Sequence, residues 1–408
     1  MLLKIIRDYV NKKIVVIGAS AASIGFISKL RSFDTGSQVI CFSGESFIPY
    51  NRCLLADFVT QEKSAHDLAL KPEEFFAQHN VDLRLNSWVT AIDREHKSVT
   101  VNGEQESYDV LFIGIGTKPY IPAIKGTDLP GVFGFHTLAD VENLNNFLDE
   151  HRPKTAIVIG AGINGIEAAS ALVDRGVKVA IVDVHASIMP LQVNAIMARH
   201  IETIAKDANV IFYKGQKVVE LQPRNRAVLG RVVLESGASI PTDCVVLATG
   251  SRVNSELIKN AGLDMIDGSL AVTTSMQTSD ASIYAGGDVC VAHDIVSKEL
   301  VKSVTWADAM LQGLTAATQL SDTPRVYPGI VGMRDSKFFG FDFYACGNTN
   351  DTEMFDVIDN HKKEYRHTFY LFDGVLQGFV LLGNVDNLAK YRTFYLTQQP
   401  VDRSDFQE

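Results

Sequence analysis

Residues 155–170 read TAIVIGAGINGIEAAS, and the reading of this stretch decides the fold. Ala156–Ile159 is a short apolar run rich in β-branched residues, the composition of a strand buried on both faces of a parallel sheet. Gly160, Gly162 and Gly165 follow in G-x-G-x-x-G spacing. The first glycine makes the tight turn, the second lets backbone approach a pyrophosphate, and the third lets the helix pack closely on the strand. A helix predicted over Ile166–Asp174 presents its unpaired N–H groups and positive dipole end to phosphate. A second apolar strand, Val177–Val182, ends at Asp183, 21 residues past Gly162, where a carboxylate can accept from a ribose 2′-hydroxyl. Strand, turn, helix, strand and acid in this order make the glycines a nucleotide-binding signature rather than an ordinary turn.

Nearer the N-terminus, KIVVIGASAASIGFISKL repeats the layout. Ile14–Ile17 is again strand-like, and Gly18, Ser20 and Ser23 stand at the three fingerprint positions. Serine is the smallest replacement that keeps the backbone accessible, and its hydroxyl can itself donate to a phosphate oxygen. Val39–Phe42 then leads to Glu45, an acid able to hold a second ribose. Two further stretches match each other: Tyr108–Pro122, a buried strand closing on Gly116, and TDCVVLATGS at 242–251, closing on Gly250. The fingerprints lie 142 residues apart and the strand–glycine units 134 apart, so the chain is internally duplicated into two nucleotide-binding units.

Between these landmarks, residues 58–107 alternate charged surface with short strands such as Val81–Leu85 and Ser98–Val101, the latter followed by the turn Asn102-Gly103. An acidic helix and linker follow Ala139, and Asn254–Gly268 reads as a surface segment. SIYAGGDV is a short strand closing on Gly287-Asp288, and residues 302–320 read as a helix with Gly313 as a close-packing point. Beyond Arg325 aromatics crowd in, and HTFYLFDGVLQGFVLLG forms a hairpin around Asp373-Gly374, so a third, mixed domain is expected.

The 408 residues call for two to four domains, and a hydrophobic fraction of 46% with 21% charged residues describes a globular chain. A net charge of −10 without a basic cluster argues against a nucleic-acid partner. The opening MLLKIIRDYVNKK is broken by Lys4, Arg7 and Asp8, so it reads as neither secretory signal nor membrane span, and a cytoplasmic protein is expected. Five scattered cysteines with no C-x-x-C pair suggest reduced thiols and no metal site. H-E-x-x-H, nucleophile-elbow and P-loop patterns are absent from the sequence.

Taken together, these motifs resemble the two-dinucleotide-binding-domain flavoproteins, the FAD-dependent pyridine nucleotide-disulfide oxidoreductases, over residues 12 to about 385. PYNRCLL at 49–55 is similar to the block of NADH:rubredoxin reductases and of the nitrite reductase large subunit. The resemblance implies an α/β fold: a discontinuous FAD domain (1–123 and 250–325), an NAD domain (124–249) and a C-terminal α+β interface domain (326–408) suited to a homodimer. It implies that Gly18, Ser20, Ser23, Glu45, Arg52, Gly116, Gly287, Asp288, Trp306 and Ala307 serve FAD. Gly160, Gly162, Gly165, Glu167, Asp183 and Gly250 would serve the nicotinamide nucleotide, with Glu167 near the nicotinamide. Two of these have plainer readings: Trp306 as core, and Glu167 as a helix N-terminal acid complementing the dipole. Asp183 favours NADH over NADPH by repelling a 2′-phosphate, although His185 stands close by.

The implied activity is hydride transfer from NADH to FAD N5, followed by reduction of a second acceptor. Glu167, Arg52 and Cys53 are the candidate catalytic residues. The family's C-x₄-C redox pair is missing, Arg52 takes the position of the single flavin-stacking cysteine, and Cys53 beside it is expected to be a buried structural thiol. A small redox protein such as a rubredoxin is therefore the leading acceptor, ahead of dioxygen and of a disulfide relayed through Cys53. A flavin-binding redox sensor or assembly partner is the reading from another class.

Overall fold

The computed structural model describes residues 11–225, 228–302, 305–349, 353–362 and 364–407. Most of the N-terminal stretch judged above, and positions 303–304 of the predicted helix, lie outside the described residues. The chain divides into two compact units, residues 1–51, 68–118 and 252–332 in one and residues 52–67, 119–251 and 333–408 in the other.

In chain order the first sheet receives β1 (Lys13–Ile17), β2 (Gln38–Phe42), β3 (Val81–Arg84) and β4 (Val110–Ile113), with helix α1 (Ala21–Arg31) following β1. The second receives β5 (Val132–Gly134), β6 (Thr155–Ile159), β7 (Lys178–Asp183), β8 (Ile211–Lys214) and β9 (Cys244–Leu247), with α2 (Ile163–Asp174) following β6. The chain then returns to the first sheet through β10 (Ile283–Ala285) and runs into α3 (Trp306–Thr318).

The sheet orders are β10-β4-β1-β2-β3 and β8-β7-β6-β9-β5, every pairing parallel. Each fingerprint strand is central, flanked on one side by the strand that leads to Glu45 or ends at Asp183 and on the other by the strand–glycine unit. The duplication read from the sequence is thus a duplication of topology. β1 shows why such strands are continuously apolar. Ile14 and Val16 enter one core with Phe26 and Phe112, while Val15 and Ile17 enter another with Ile40 and Ile113.

Gly313 is the close-packing point expected of it, because a Cβ there would lie 1.8 Å from Ala22 O of α1. Gly25 plays the matching part on α1, against Met310 O at 2.5 Å. Both hairpin turns take the left-handed geometry that Asn-Gly and Asp-Gly favour, with positive φ at Asn102 and Gly103 and at Asp373 and Gly374.

Two local expectations are corrected. α2 begins at Ile163, three residues before the predicted start, because Gly162 is its N-cap and Gly165 lies inside its first turn. The Asn254–Gly268 segment is not simply surface: Ser255–Asn260 is a helix, and Leu257, Ile258 and Leu263 are buried in the core of the first unit. The second unit also carries a five-stranded antiparallel sheet of β11 (Arg334–Phe338), β12 (Phe341–Gly347), β13 (Asp356–His361), β14 (Arg366–Phe372) and β15 (Val375–Leu382). Its order is β11-β12-β15-β14-β13, followed by helix Leu388–Thr397.

Candidate cofactor sites

The first unit assembles its site from two helix N-termini and a glycine. Gly18 has φ +88°, and a Cβ on it would sit 2.4 Å from Gly114 O, so the turn between β1 and α1 admits no side chain. Ser20 is the N-cap of α1, yet its side chain makes no cap hydrogen bond. Its hydroxyl and the first N–H groups of α1 therefore remain to bind an anion. Gly287 lies between the two helices, a Cβ on it meeting Ala22 of α1 at 3.3 Å and Ala309 of α3 at 3.6 Å. The expected residues Gly18, Ser20, Gly287 and Asp288 and the start of α3 converge here.

Ser23 departs from expectation. It is fully buried, its Oγ 2.3 Å from where a Cβ of Gly114 would stand, and it has no hydrogen-bond partner among the described residues. It therefore does not face a pyrophosphate; it fills the space between helix and strand end. Glu45 follows β2 and accepts from Tyr50 OH through Oε2 at 2.7 Å. Gly116 has φ +58°, and a Cβ on it would meet no atom within 4 Å.

The N-terminus of α3 was only partly legible. Thr305 caps it, and Asp308 Oδ2 accepts from Thr305 Oγ1 at 2.6 Å. The same buried carboxylate accepts from Tyr327 OH and from the N–H groups of Val331 and Gly332, each at 3.1 Å. One turn on, the fully buried Gln312 accepts from Gly287 N–H at 2.7 Å. Asp308 and Gln312 are site-building residues the motifs missed; their signal is a polar pair spaced i, i+4 on an apolar helix. Trp306 packs on the core, as its plainer reading held, but its indole Nε1 is buried without a partner among the described residues, and Ala307 beside it is exposed. An orphaned N–H at a helix N-terminus fits an acceptor oxygen of a bound group such as a flavin carbonyl.

In the second unit the three glycines have separate surroundings. Gly160 has φ +112°, and a Cβ there would meet Ala248 O at 2.3 Å. On Gly165 it would meet Gly160 O at 2.0 Å, whereas at Gly162 it would meet nothing within 4 Å. Of the three, only the middle glycine faces open space, which leaves its backbone open to close approach. Asp183 closes the loop: Oδ2 accepts from Ala161 N–H at 2.6 Å, and Oδ1 from His185 N–H and Nδ1 at 2.7 Å each. Gly250, φ +87°, again has no neighbour within 4 Å of its Cβ position.

Because α2 starts at Ile163, Glu167 lies in its second turn, and the first turn carries no acid. The dipole reading of Glu167 therefore loses its basis. Its carboxylate accepts from Ser336 Oγ at 2.6 Å. Burial pushes its pKa up to about 7, against the Ser336 hydrogen bond and with help from Asp335 and Asp57.

Arg52 and Cys53 open the segment Arg52–Asp67 of the second unit, where Arg52 Nη1 donates to His136 O at 2.9 Å. Cys53 corrects another expectation: it is exposed, while Cys41, Cys244, Cys290 and Cys346 are buried. Burial pushes the thiols of Cys41 and Cys244 up to about 12 and raises that of Cys290. None of the five is in a disulfide. Among the described residues there is no metal-ligand cluster and no helix long and apolar enough to cross a membrane.

Residues 12–313 match the family described as pyridine nucleotide-disulphide oxidoreductase. The chain belongs to this family. It is 30% identical over 329 residues to the rubredoxin-NAD(+) reductase of Pseudomonas putida, covering 78% of this chain and 84% of that protein. It is 28% identical over 404 residues to the assimilatory nitrate reductase electron transfer subunit of Bacillus subtilis, covering 96% of this chain. The match spans only 51% of that subunit. Among solved structures, a NAD-dependent persulfide reductase from A. fulgidus superposes with a TM-score of 0.88 at 25% identity, covering 97% of this chain and 79% of that one.

Proposed function

We propose that the chain is a FAD-dependent oxidoreductase that draws reducing equivalents from NADH and hands them to a small electron-transfer protein. The duplicated nucleotide turn carries the reading, since two sites built alike imply two dinucleotides used together. FAD, when bound, supplies a two-electron acceptor able to pass single electrons onward. In this reading residues 1–123 and 250–325 form the FAD domain, 124–249 the NAD domain, and 326–408 an interface domain through which two copies pair.

Each residue then has a physical task. Ser20 and the α1 N-terminus offset the pyrophosphate charge, and Glu45 accepts from the adenosine ribose. Trp306 Nε1–H and the α3 N-terminus offset negative charge on the pyrimidine edge of the flavin. In the second unit the α2 N-terminus and Gly162 receive the NADH pyrophosphate, and Asp183 accepts from the ribose while disfavouring a 2′-phosphate. Arg52, fixed by His136, is assigned to the flavin or its phosphates.

The test is an anaerobic titration of the purified protein with NADH and then NADPH, followed by flavin absorbance. Bleaching by stoichiometric NADH supports the assignment; a colourless protein that takes up no FAD sinks it. The exposure of Cys53 favours a second reading, in which a disulfide or persulfide is the acceptor and Cys53 relays to it. In Cys53→Ser, loss of acceptor turnover with flavin reduction intact would select that reading.

A further inference from the structure

Glu167 has a partner that no glycine pattern announces. Ser336, on β11 of the antiparallel sheet, donates to Glu167 Oε1 at 2.6 Å, and in the turn after β11 the Phe339 N–H donates to Ser170 Oγ at 2.7 Å. Glu167 and Ser170 are three residues apart on one face of α2, so β11 and its turn grip the coenzyme helix at two points. The serine hydroxyl engages one carboxylate oxygen and leaves Oε2 without a donor among the described residues. An oxygen held in this way accepts from an N–H group, and a primary carboxamide such as that of nicotinamide carries two.

We propose that Ser336 is a positioning residue for the coenzyme, fixing Glu167 so that its second oxygen accepts from the carboxamide N–H of NADH. The inference rests on the NADH reading above and on the place by the nicotinamide that the family resemblance implies for Glu167; what it adds is the residue that aims this carboxylate. The surroundings make the hydroxyl consequential. Asp335 on β11 and Asp57 on the short helix Leu55–Val59 both disfavour a charged Glu167, and Lys337 acts on Asp57. Ser336 is the group that favours the carboxylate, the form that can only accept.

The test uses the full FAD-loaded chain and anaerobic stopped-flow reduction of the flavin, from pH 5.5 to 9, by NADH and by its 3-acetylpyridine analogue. The analogue replaces the carboxamide with a methyl ketone and has no N–H to give. Ser336→Ala is expected to lose about tenfold of the wild-type preference for NADH over the analogue. Its acid limb should also move to higher pH, while Ser336→Thr, which keeps the hydroxyl, retains both. If Ser336→Ala does not fold, the nearly isosteric Ser336→Cys, a weak donor, is expected to show the same losses in smaller measure.

A Ser336→Ala enzyme, or the Cys variant in its place, with unchanged preference and pH profile overturns the proposal, even where its melting temperature falls. If wild type itself is not reduced by NADH, the coenzyme reading fails first, and the two failures are told apart by that control.

Discussion

The two fingerprint turns, GASAAS at 18–23 and GAGING at 160–165, solve one packing problem in opposite ways. Their first glycines are equivalent, each with positive φ and each pressed against a carbonyl at a strand end, Gly114 O at 2.4 Å and Ala248 O at 2.3 Å. The third positions differ. In the first turn the helix carries Ser23 and the strand end carries Gly114; in the second the helix carries Gly165 and the strand end carries Ala248. The small residue has changed sides of the contact. What the turn requires is a total volume shared by two segments 91 and 83 residues apart, and a glycine at a particular position is one way to meet it.

This comparison can be broken. Gly165→Ala should have the largest effect, about 3 kcal/mol or more in denaturant unfolding with loss of NADH binding, because its Cβ meets the rigid backbone of Gly160. Gly114→Ala should cost about 2 kcal/mol through its clash with Ser23 Oγ, and adding Ser23→Gly should restore most of that. A double-mutant cycle without coupling would refute the shared-volume account.

Glu167→Gln tests the carboxyl buried on the helix of the second turn. In wild type the folded carboxyl holds its proton up to about pH 7 while the unfolded one releases it near 4.5, so stability falls as pH rises between these values. The glutamine variant should therefore be more stable than wild type by about 1–2 kcal/mol at pH 8, with the gap closing towards pH 5, as read by thermal melts. Ser23→Ala removes a buried hydroxyl that has no partner among the described residues, so it should be neutral or stabilising by up to about 1 kcal/mol. Ser20→Ala should be smallest in stability and visible in binding, lowering FAD affinity about threefold to tenfold in apoprotein reconstitution.

Much of this organisation was legible because buried parallel strands, glycine turns and helix starts leave local patterns. β1, β6 and β9 are continuous apolar runs, and the repeat spacing alone exposed the duplication. Local pattern failed where the deciding contact was distant. Ser23 looked like a phosphate ligand because its turn was read without Gly114, and Cys53 was expected to be a buried thiol because Arg52 takes the position of the flavin-stacking cysteine, whereas in the folded chain Cys53 is exposed. The start of α2 was placed late because the glycine run was read as turn throughout, whereas Gly162 is the N-cap and Gly165 already lies in the first helical turn.

The sequence by itself determined that the chain holds two similar units, each with a glycine turn between an apolar strand and a helix, since period, apolar runs and turn residues act over a few neighbours. Only the tertiary structure decided which small residue faces which strand end, that Asp308 and Gln312 brace the start of α3, and that Ser336 reaches Glu167 from 169 residues away. Volume and hydrogen bonding are satisfied by whatever the folded chain brings within a few ångströms, and sequence distance carries no record of that.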